Sequence, residues 1–210
     1  MNLPNLIVSI LIGYLIGSLP IGYLLGRTKG IDVRTIGSGR TGGTNVYRAL
    51  GARLGLLTGV LDFAKGAVSV LLIRSFFGDE AAAALAGAAA VAGHNWSIFL
   101  GFKGGAGGST AAGALLALNP LAGAIVVPLF VVILFVGRIA SVATLWVGAG
   151  SVVAILLLHV INPVATPLSQ LLFAVPAMVL IAISLRPNIE RLLNGTERRV
   201  NFKQPKAGAP

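Results

Sequence analysis

Apolar residues run along this chain in long blocks separated by short, polar, glycine-rich breaks. A helix that crosses a bilayer needs about 17–25 mostly apolar residues. Residues 3–25, 54–77, 81–101, 121–137, 139–161 and 168–185 meet that requirement. The second block qualifies if Asp62 and Lys65, three residues apart on one helical face, pair or point into the bundle. The first block reads as an anchor rather than a cleaved leader, because no Lys or Arg precedes it and no small-residue cleavage site follows it. A further stretch, 106–118, is short and ends at Asn119-Pro120, where proline removes a backbone donor. It is either a crossing that starts recessed from the surface or the first half of one kinked helix running to Val136.

Charge separates those two readings. Arg27, Lys29, Arg34, Arg40, Arg48 and Arg53 follow the first block, and Arg186, Arg191, Arg198, Arg199, Lys203 and Lys206 follow the last. Basic loops stay in the cytoplasm, so both groups belong inside, which needs an odd number of crossings. Seven blocks satisfy this; six strand the basic tail outside. With seven, Lys103 and Arg138 also fall inside, so fourteen of the sixteen basic residues are cytoplasmic. Arg74 is then outside and Lys65 within a span. The pattern predicts one polytopic membrane domain over residues 1–210, all-α, with seven transmembrane helices, the N-terminus outside and the C-terminus cytoplasmic. Its cytoplasmic parts are loops 26–53 and 101–110 and the basic tail 186–210.

Composition agrees. The chain is 56% hydrophobic and 10% charged, against about 25% charged in soluble domains. Its net charge of +10 is too sparse to coat a nucleic-acid-binding surface. The chain has no cysteine, which removes disulfides, thiolate nucleophiles and cysteine metal sites. Metal hydrolysis lacks clustered ligands. A Ser-His-Asp triad is disfavoured by the scarcity of carboxylates, although Ser38 and His94 exist.

The candidate chemistry lies in the glycine-rich loops. The run Ile36-Gly37-Ser38-Gly39-Arg40-Thr41-Gly42-Gly43-Thr44-Asn45-Val46-Tyr47-Arg48 lets successive backbone N–H groups turn toward one point, and Thr44-Asn45 is placed to cap a following helix. A nest plus a helix start is an anion site, and Arg40 and Arg48 add forked donors suited to phosphate. A second loop, Gly101-Phe102-Lys103-Gly104-Gly105-Ala106-Gly107-Gly108-Ser109-Thr110, has the same character and lies on the same side of the membrane. The bland alternative for each loop is a flexible surface connector. Asp62 and Lys65 read as a structural ion pair or as a lysine reaching a bound phosphate. His94, near the cytoplasmic end of its span, reads as a helix-end histidine or a site residue, and His159 as structural. Such a site supplies positive charge and hydrogen bonds but no strong base, which suits a substrate that arrives already activated.

Three groups of residues resemble the three cytoplasmic motifs of the acyl-phosphate:glycerol-3-phosphate acyltransferases. The first is Gly37-Ser38-Gly39 through Arg48. The second is Leu61-Asp62-Phe63-Ala64-Lys65-Gly66-Ala67, and the third is Gly93-His94 through Lys103-Gly104-Gly105. The tail Asn188-Ile189-Glu190-Arg191-Leu192-Leu193-Asn194-Gly195-Thr196-Glu197 looks like that family's C-terminal signature. The resemblance covers essentially the whole chain. It implies a multi-pass enzyme of the bacterial inner membrane, with its active site facing the cytoplasm, that moves a fatty acyl group from acyl phosphate to the first hydroxyl of glycerol 3-phosphate. The products are lysophosphatidic acid and phosphate. It implies no cofactor or metal, the lipid bilayer as surroundings, an upstream enzyme that makes acyl phosphate, and no nucleic acid. The substrate's own phosphate is expected to assist deprotonation of the attacking hydroxyl.

By the same resemblance, Ser38, Thr44, Asn45 and Arg48 match phosphate and glycerol-phosphate contacts. Lys65, His94 and Lys103 match polar positions of the later motifs, and Asn188 a polar contact in the tail. The candidate binding set is Ser38, Gly39, Arg40, Gly43, Thr44, Asn45, Arg48, Lys65, Lys103, Gly104, Gly105 and Asn188, with Ser38 and His94 as catalytic candidates. The chain departs from the family at Arg40 (usually Asn), Gly43 (usually Ala), Ala106 (the second Lys of Lys-Gly-Gly-Lys-Gly) and Leu185 (a tail His). Those departures keep open a divergent paralogue with weak activity or another acceptor, or an inactive scaffold. A transporter or flippase for a phosphorylated solute or lipid is the competing class. The glycine loops on one face, rather than at mid-depth, weigh against it.

Overall fold

The computed structural model describes residues 2–202. Residues 203–210, which carry Lys203 and Lys206 of the basic tail, lie outside the described residues. The α-helices among the described residues are, in order, α1 (Leu3–Ser18), α2 (Ile21–Arg27), α3 (Gly43–Leu50), α4 (Ala52–Phe77), α5 (Glu80–Asn95), α6 (Gly108–Leu118), α7 (Pro120–Val132), α8 (Ala140–Ile161), α9 (Leu171–Ser184) and α10 (Arg186–Leu193). Among the described residues, five stretches are long and apolar enough to cross a membrane: Leu3–Arg27, Ala52–Phe77, Glu80–Leu100, Pro120–Gly137 and Ala140–Ile161. Leu168–Ser184 joined to Arg186–Leu193 through a 67° bend makes a sixth when counted as one span. Helix α6 is apolar but has 11 residues, about 16 Å of rise against a hydrocarbon core of about 30 Å.

Helix α6 is not the first half of a kinked helix. A Cβ placed on Gly123 would sit 2.5 Å from the Leu116 Cα, so the chain reverses at Asn119-Pro120 and α7 packs back on α6. Asn119 starts the new helix by accepting from the Ala122 N–H (2.9 Å), with Pro120 in the first turn, where its missing donor costs nothing. The free carbonyls at the end of α6 are met from α4. Arg74 donates to the Ala117 and Leu118 oxygens (2.7 and 2.8 Å) and pairs with Glu80 at 3.0 Å. Arg74, the one basic residue assigned outside, is thereby neutralised and used as a helix cap.

Helix α5 is the axis of the bundle. Its alanines let neighbouring backbones come close, and a Cβ on Gly13 or Gly17 of α1 would lie about 2 Å from the Ala86 or Ala90 carbonyl oxygen. Small residues four apart are how helices pack in lipid, where burial of apolar surface gives no net drive. The same close approach joins α4 to α6 through Gly66 and Gly113.

The first apolar block is broken at Leu19-Pro20, between α1 and α2. Backbone carbonyls freed at membrane depth must be satisfied internally. Ser97 Oγ donates to the Ser18 oxygen (2.6 Å) and Lys65 Nζ to the Leu19 oxygen (3.0 Å). Lys65 also lies 2.8 Å from the Asp62 carboxylate and is 6% exposed. In this arrangement Lys65 and Asp62 form a buried ion pair that mends the broken helix.

Candidate functional site

The first glycine loop is folded around Asn45, which is 2% exposed. Its amide donates to the carbonyls of Val33 (2.9 Å), Ile36 (3.1 Å) and Arg40 (2.7 Å), and its Oδ1 accepts from the Ser38 N–H (2.9 Å). Gly37, with φ +59°, has room for no side chain, since a Cβ would fall 2.4 Å from that Oδ1. Asp32 supports the loop from outside, pairing with Arg34 at 2.7 Å. The Arg34 hydrogen bonds hold its carboxyl at about 2, well below the usual carboxylate range.

The expected caps are absent. Helix α3 starts at Gly43, so Thr44 and Asn45 lie inside it, and its N-cap, Gly42, offers no side chain. Helix α6 starts at Gly108 after Gly107, which has φ +83°, again with no side-chain cap. Thr110 turns inward, and its Oγ1 is buried without a partner among the described residues. Two helix N-termini are therefore left uncapped, and both border one cavity of about 530 Å³. Each presents unpaired N–H groups and the positive end of a helix dipole.

Four arginines line that cavity: Arg40, Arg48, Arg191 and Arg198. Burial lowers the pKa of Arg40 and of Arg48, and a neighbouring arginine adds to each shift, Arg191 for Arg40 and Arg198 for Arg48. Among the described residues, neither has a carboxylate within ion-pair reach. Arg40 crosses to α9 and donates to the Ser184 carbonyl. The tail contributes a carboxylate that sequence reading did not assign. Glu197 accepts from Ser141 Oγ (2.9 Å) and Asn188 Nδ2 (2.7 Å) and pairs with Arg191 at 2.9 Å. Burial alone would raise its pKa, but those three hydrogen bonds outweigh it and hold the carboxyl below its ordinary range.

Of the candidates, Ser38, Arg40, Gly43, Thr44, Asn45, Arg48, His94 and Asn188 line this one cavity, together with Ala106 and Leu185. Lys65, Lys103, Gly104, Gly105 and Gly39 do not. Lys103 is exposed and borders a separate small surface pocket with Asp32, Arg34, Thr35 and Gly39. Gly104 and Gly105 act by being small, because a Cβ on Gly105 would lie 2.0 Å from His94 Nε2. They let the second loop lie on the His94 ring, and Thr41 N–H to the Gly104 oxygen (3.4 Å) ties the two loops together. His94 Nδ1 is 3.4 Å from Asp62, so the histidine has a carboxylate neighbour that spacing alone did not reveal. His159 Nδ1 lies 2.8 Å from the Thr166 oxygen at the opposite end of the bundle, a structural contact. Ser141, Arg191, Glu197 and Arg198 were missed as site residues, although Arg191 and Glu197 sit in the tail signature.

Below the polar end the cavity becomes an apolar groove. Leu56, Val60 and Phe63 of α4 form one side, and Val127, Phe130 and Val131 of α7 the other. Leu56 and Val60 are 69% and 54% exposed, so the groove opens sideways out of the bundle. Among the described residues, no group of three or more metal-binding side chains is present.

A family model described as "Glycerol-3-phosphate acyltransferase" matches residues 7–195. "Glycerol-3-phosphate acyltransferase 3" of Dehalococcoides mccartyi (strain CBDB1) is 37% identical, with 97% of this chain and 99% of that protein covered. "Glycerol-3-phosphate acyltransferase" of Synechococcus sp. (strain CC9902) is 42% identical over 91% of this chain and 94% of its own length. The crystal structure of PlsY, described as an integral membrane glycerol 3-phosphate acyltransferase in its glycerol 3-phosphate form, superposes with a TM-score of 0.83 at 35% identity. It covers 94% of this chain and 96% of that one.

Proposed function

The chain belongs to the glycerol-3-phosphate acyltransferase family, and on that premise we propose that it uses acyl phosphate directly as the donor, at a site facing the cytoplasm of a bacterial inner membrane. The observation that carries the reading is one cavity with two chemistries. Two uncapped helix N-termini and four arginines form an anionic-ligand end, which continues into an apolar groove open to the side. An acyl phosphate has that shape, a phosphate head on a long apolar chain, and glycerol 3-phosphate brings a second phosphate.

In the proposed reaction the first hydroxyl of glycerol 3-phosphate attacks the acyl carbonyl carbon. The new ester C–O bond forms, the acyl–phosphate C–O bond breaks, and the leaving phosphate departs with its electron pair. The hydroxyl proton passes to a substrate phosphate, since the cavity offers arginines rather than a free carboxylate base. Arg48 and the α3 N-terminus hold one phosphate, while Arg40, Asn188 and the α6 N-terminus hold the other. Charge-assisted bonds of this kind strengthen as negative charge develops in the transition state. Ser38, at the rim, orients the acceptor.

For topology we propose seven crossings, with α6 as a recessed, protein-buried one. Non-lipid-facing helices need not match the bilayer thickness, and eight of the eleven α6 residues are buried. The upstream partner is an enzyme that makes acyl phosphate. The test is the formation of lysophosphatidate and phosphate from acyl phosphate and glycerol 3-phosphate by protein in detergent, where a transporter yields nothing.

A further inference from the structure

The segment after Glu197 crosses the mouth of the cavity as an extended strap. Arg198 donates to the Gly37 carbonyl of the first glycine loop. Val200 is 1% exposed, and its N–H donates to the Arg138 oxygen at 2.6 Å. The strap thus ties the loop before α3 to the turn after α7. Within it Phe202 is wedged between two walls of the cavity. The Phe202 ring stacks on Phe135 at 4.8 Å between centroids and meets Tyr47 edge-on at 5.3 Å. Tyr47 Oη donates to the Phe202 carbonyl at 2.8 Å, fixing the backbone that carries the ring. All three aromatic residues line the cavity.

An acyl phosphate is a mixed anhydride, and water competes with any alcohol for its carbonyl. Water attack forms a C–O bond to water oxygen, breaks the acyl–phosphate bond, and releases fatty acid and phosphate with no lysophosphatidate. The polar end must stay wet enough to admit glycerol 3-phosphate, so discrimination depends on keeping water from the carbonyl, where the head meets the groove. Tyr47 lies on α3, whose N-terminus is the phosphate end, and Phe135 closes the α7 side of the apolar groove. Phe202 is the ring that joins them.

We propose that Phe202, held by Tyr47 and Phe135, is a specificity residue that selects glycerol 3-phosphate over water as the acyl acceptor. This rests on acyl phosphate being the donor. The test measures phosphate release and lysophosphatidate formation together, in detergent, with and without glycerol 3-phosphate. Phe202→Ala should raise the ratio of phosphate to lysophosphatidate by about threefold or more through uncoupled hydrolysis. Tyr47→Phe, which keeps the ring and loses the hydrogen bond, should raise it less. A Phe202→Ala ratio equal to wild type overturns the inference, whether the two rates are both retained, both raised or lost in proportion. A wild-type protein that releases no phosphate from acyl phosphate, with or without acceptor, overturns the donor reading and this inference with it.

Discussion

The guanidinium of Arg40, in the first glycine loop, donates to the carbonyl oxygen of Ser184 at the end of α9, 2.5 Å away. Residues 144 positions apart in sequence are thereby locked around one cavity, and Ala106 lines the same cavity. If, as the resemblance implies, the family has Asn and Lys at these two places, Arg40 stands in for the charge absent at Ala106. Arg40→Asn should lower kcat/KM for glycerol 3-phosphate by about ten- to a hundredfold. A lost charge-assisted hydrogen bond costs about 1.5–3 kcal/mol, and each ~1.4 kcal/mol is a factor of ten. Adding Ala106→Lys should recover part of the loss, with coupling beyond additivity in the double-mutant cycle. Two additive effects would mean that the positions act separately.

Glycine at two points of the nest is required for different reasons. Gly39 has φ +71°, a left-handed backbone that a β-branched residue resists. Gly43 has ordinary angles, but a Cβ there would lie 2.8 Å from the Gly55 oxygen, where α3 packs on α4. Gly39→Val and Gly43→Val should each abolish turnover while leaving membrane insertion intact, as judged by activity assay and by circular dichroism of the purified variants. Wild-type turnover in both would reduce the loop to a connector.

Glu197 gives the site a pH signature. Its carboxyl is held below the ordinary value of 4.5 by bonds from Asn188, Arg191 and Ser141 that outweigh the effect of burial. A lowered native pKa means that the ionised form stabilises the fold fully above the unfolded value, and that this contribution is lost as pH falls through the native one. Glu197→Gln should therefore lower Tm at pH 7, by the equivalent of roughly 1.5–3 kcal/mol for the charged hydrogen bonds weakened. The gap from wild type should narrow below about pH 4.5. Thermal melts at pH 7 and pH 4 check this, and a gap independent of pH contradicts it.

The chain has no native cysteine, so single-cysteine labelling reads topology directly. Val164, 92% exposed at the turn between α8 and α9, should label in intact cells when changed to Cys. Lys29→Cys and Asn194→Cys should react with an impermeant reagent only after permeabilisation. Labelling of Asn194→Cys in intact cells would contradict seven crossings with a cytoplasmic tail.

Hydropathy made the apolar blocks legible because lipid imposes one requirement on every exposed helix. It did not reveal the break at Pro20, since Leu3–Arg27 is apolar across it. Nor did it decide between a kink and a reversal at Asn119-Pro120, which depends on Gly123 meeting Leu116 in space. The first loop was legible because its glycines, Ser38, Asn45 and Arg48 act within one short stretch. Thr44 and Asn45 were expected as caps, but the helix begins one residue before Thr44, and Asn45 turns back to organise the loop instead. Lys65 and Lys103 do not line the cavity, and the sequence did not show this because a basic residue beside glycines reads the same whether it points into a cavity, into a broken helix or into water. The Ser141–Asn188–Arg191–Glu197 cluster joins α8 to the tail, a pairing without any local pattern.

The most direct measurement is the product balance of purified wild-type protein given acyl phosphate and glycerol 3-phosphate, run beside acyl-coenzyme A and acyl carrier protein donors. A cavity whose polar end holds two uncapped helix N-termini and four arginines and continues into an apolar groove predicts lysophosphatidate and phosphate in near-equal amounts from acyl phosphate, and no product from the other donors. Lysophosphatidate formed from an acyl thioester, or none from acyl phosphate, would contradict the account.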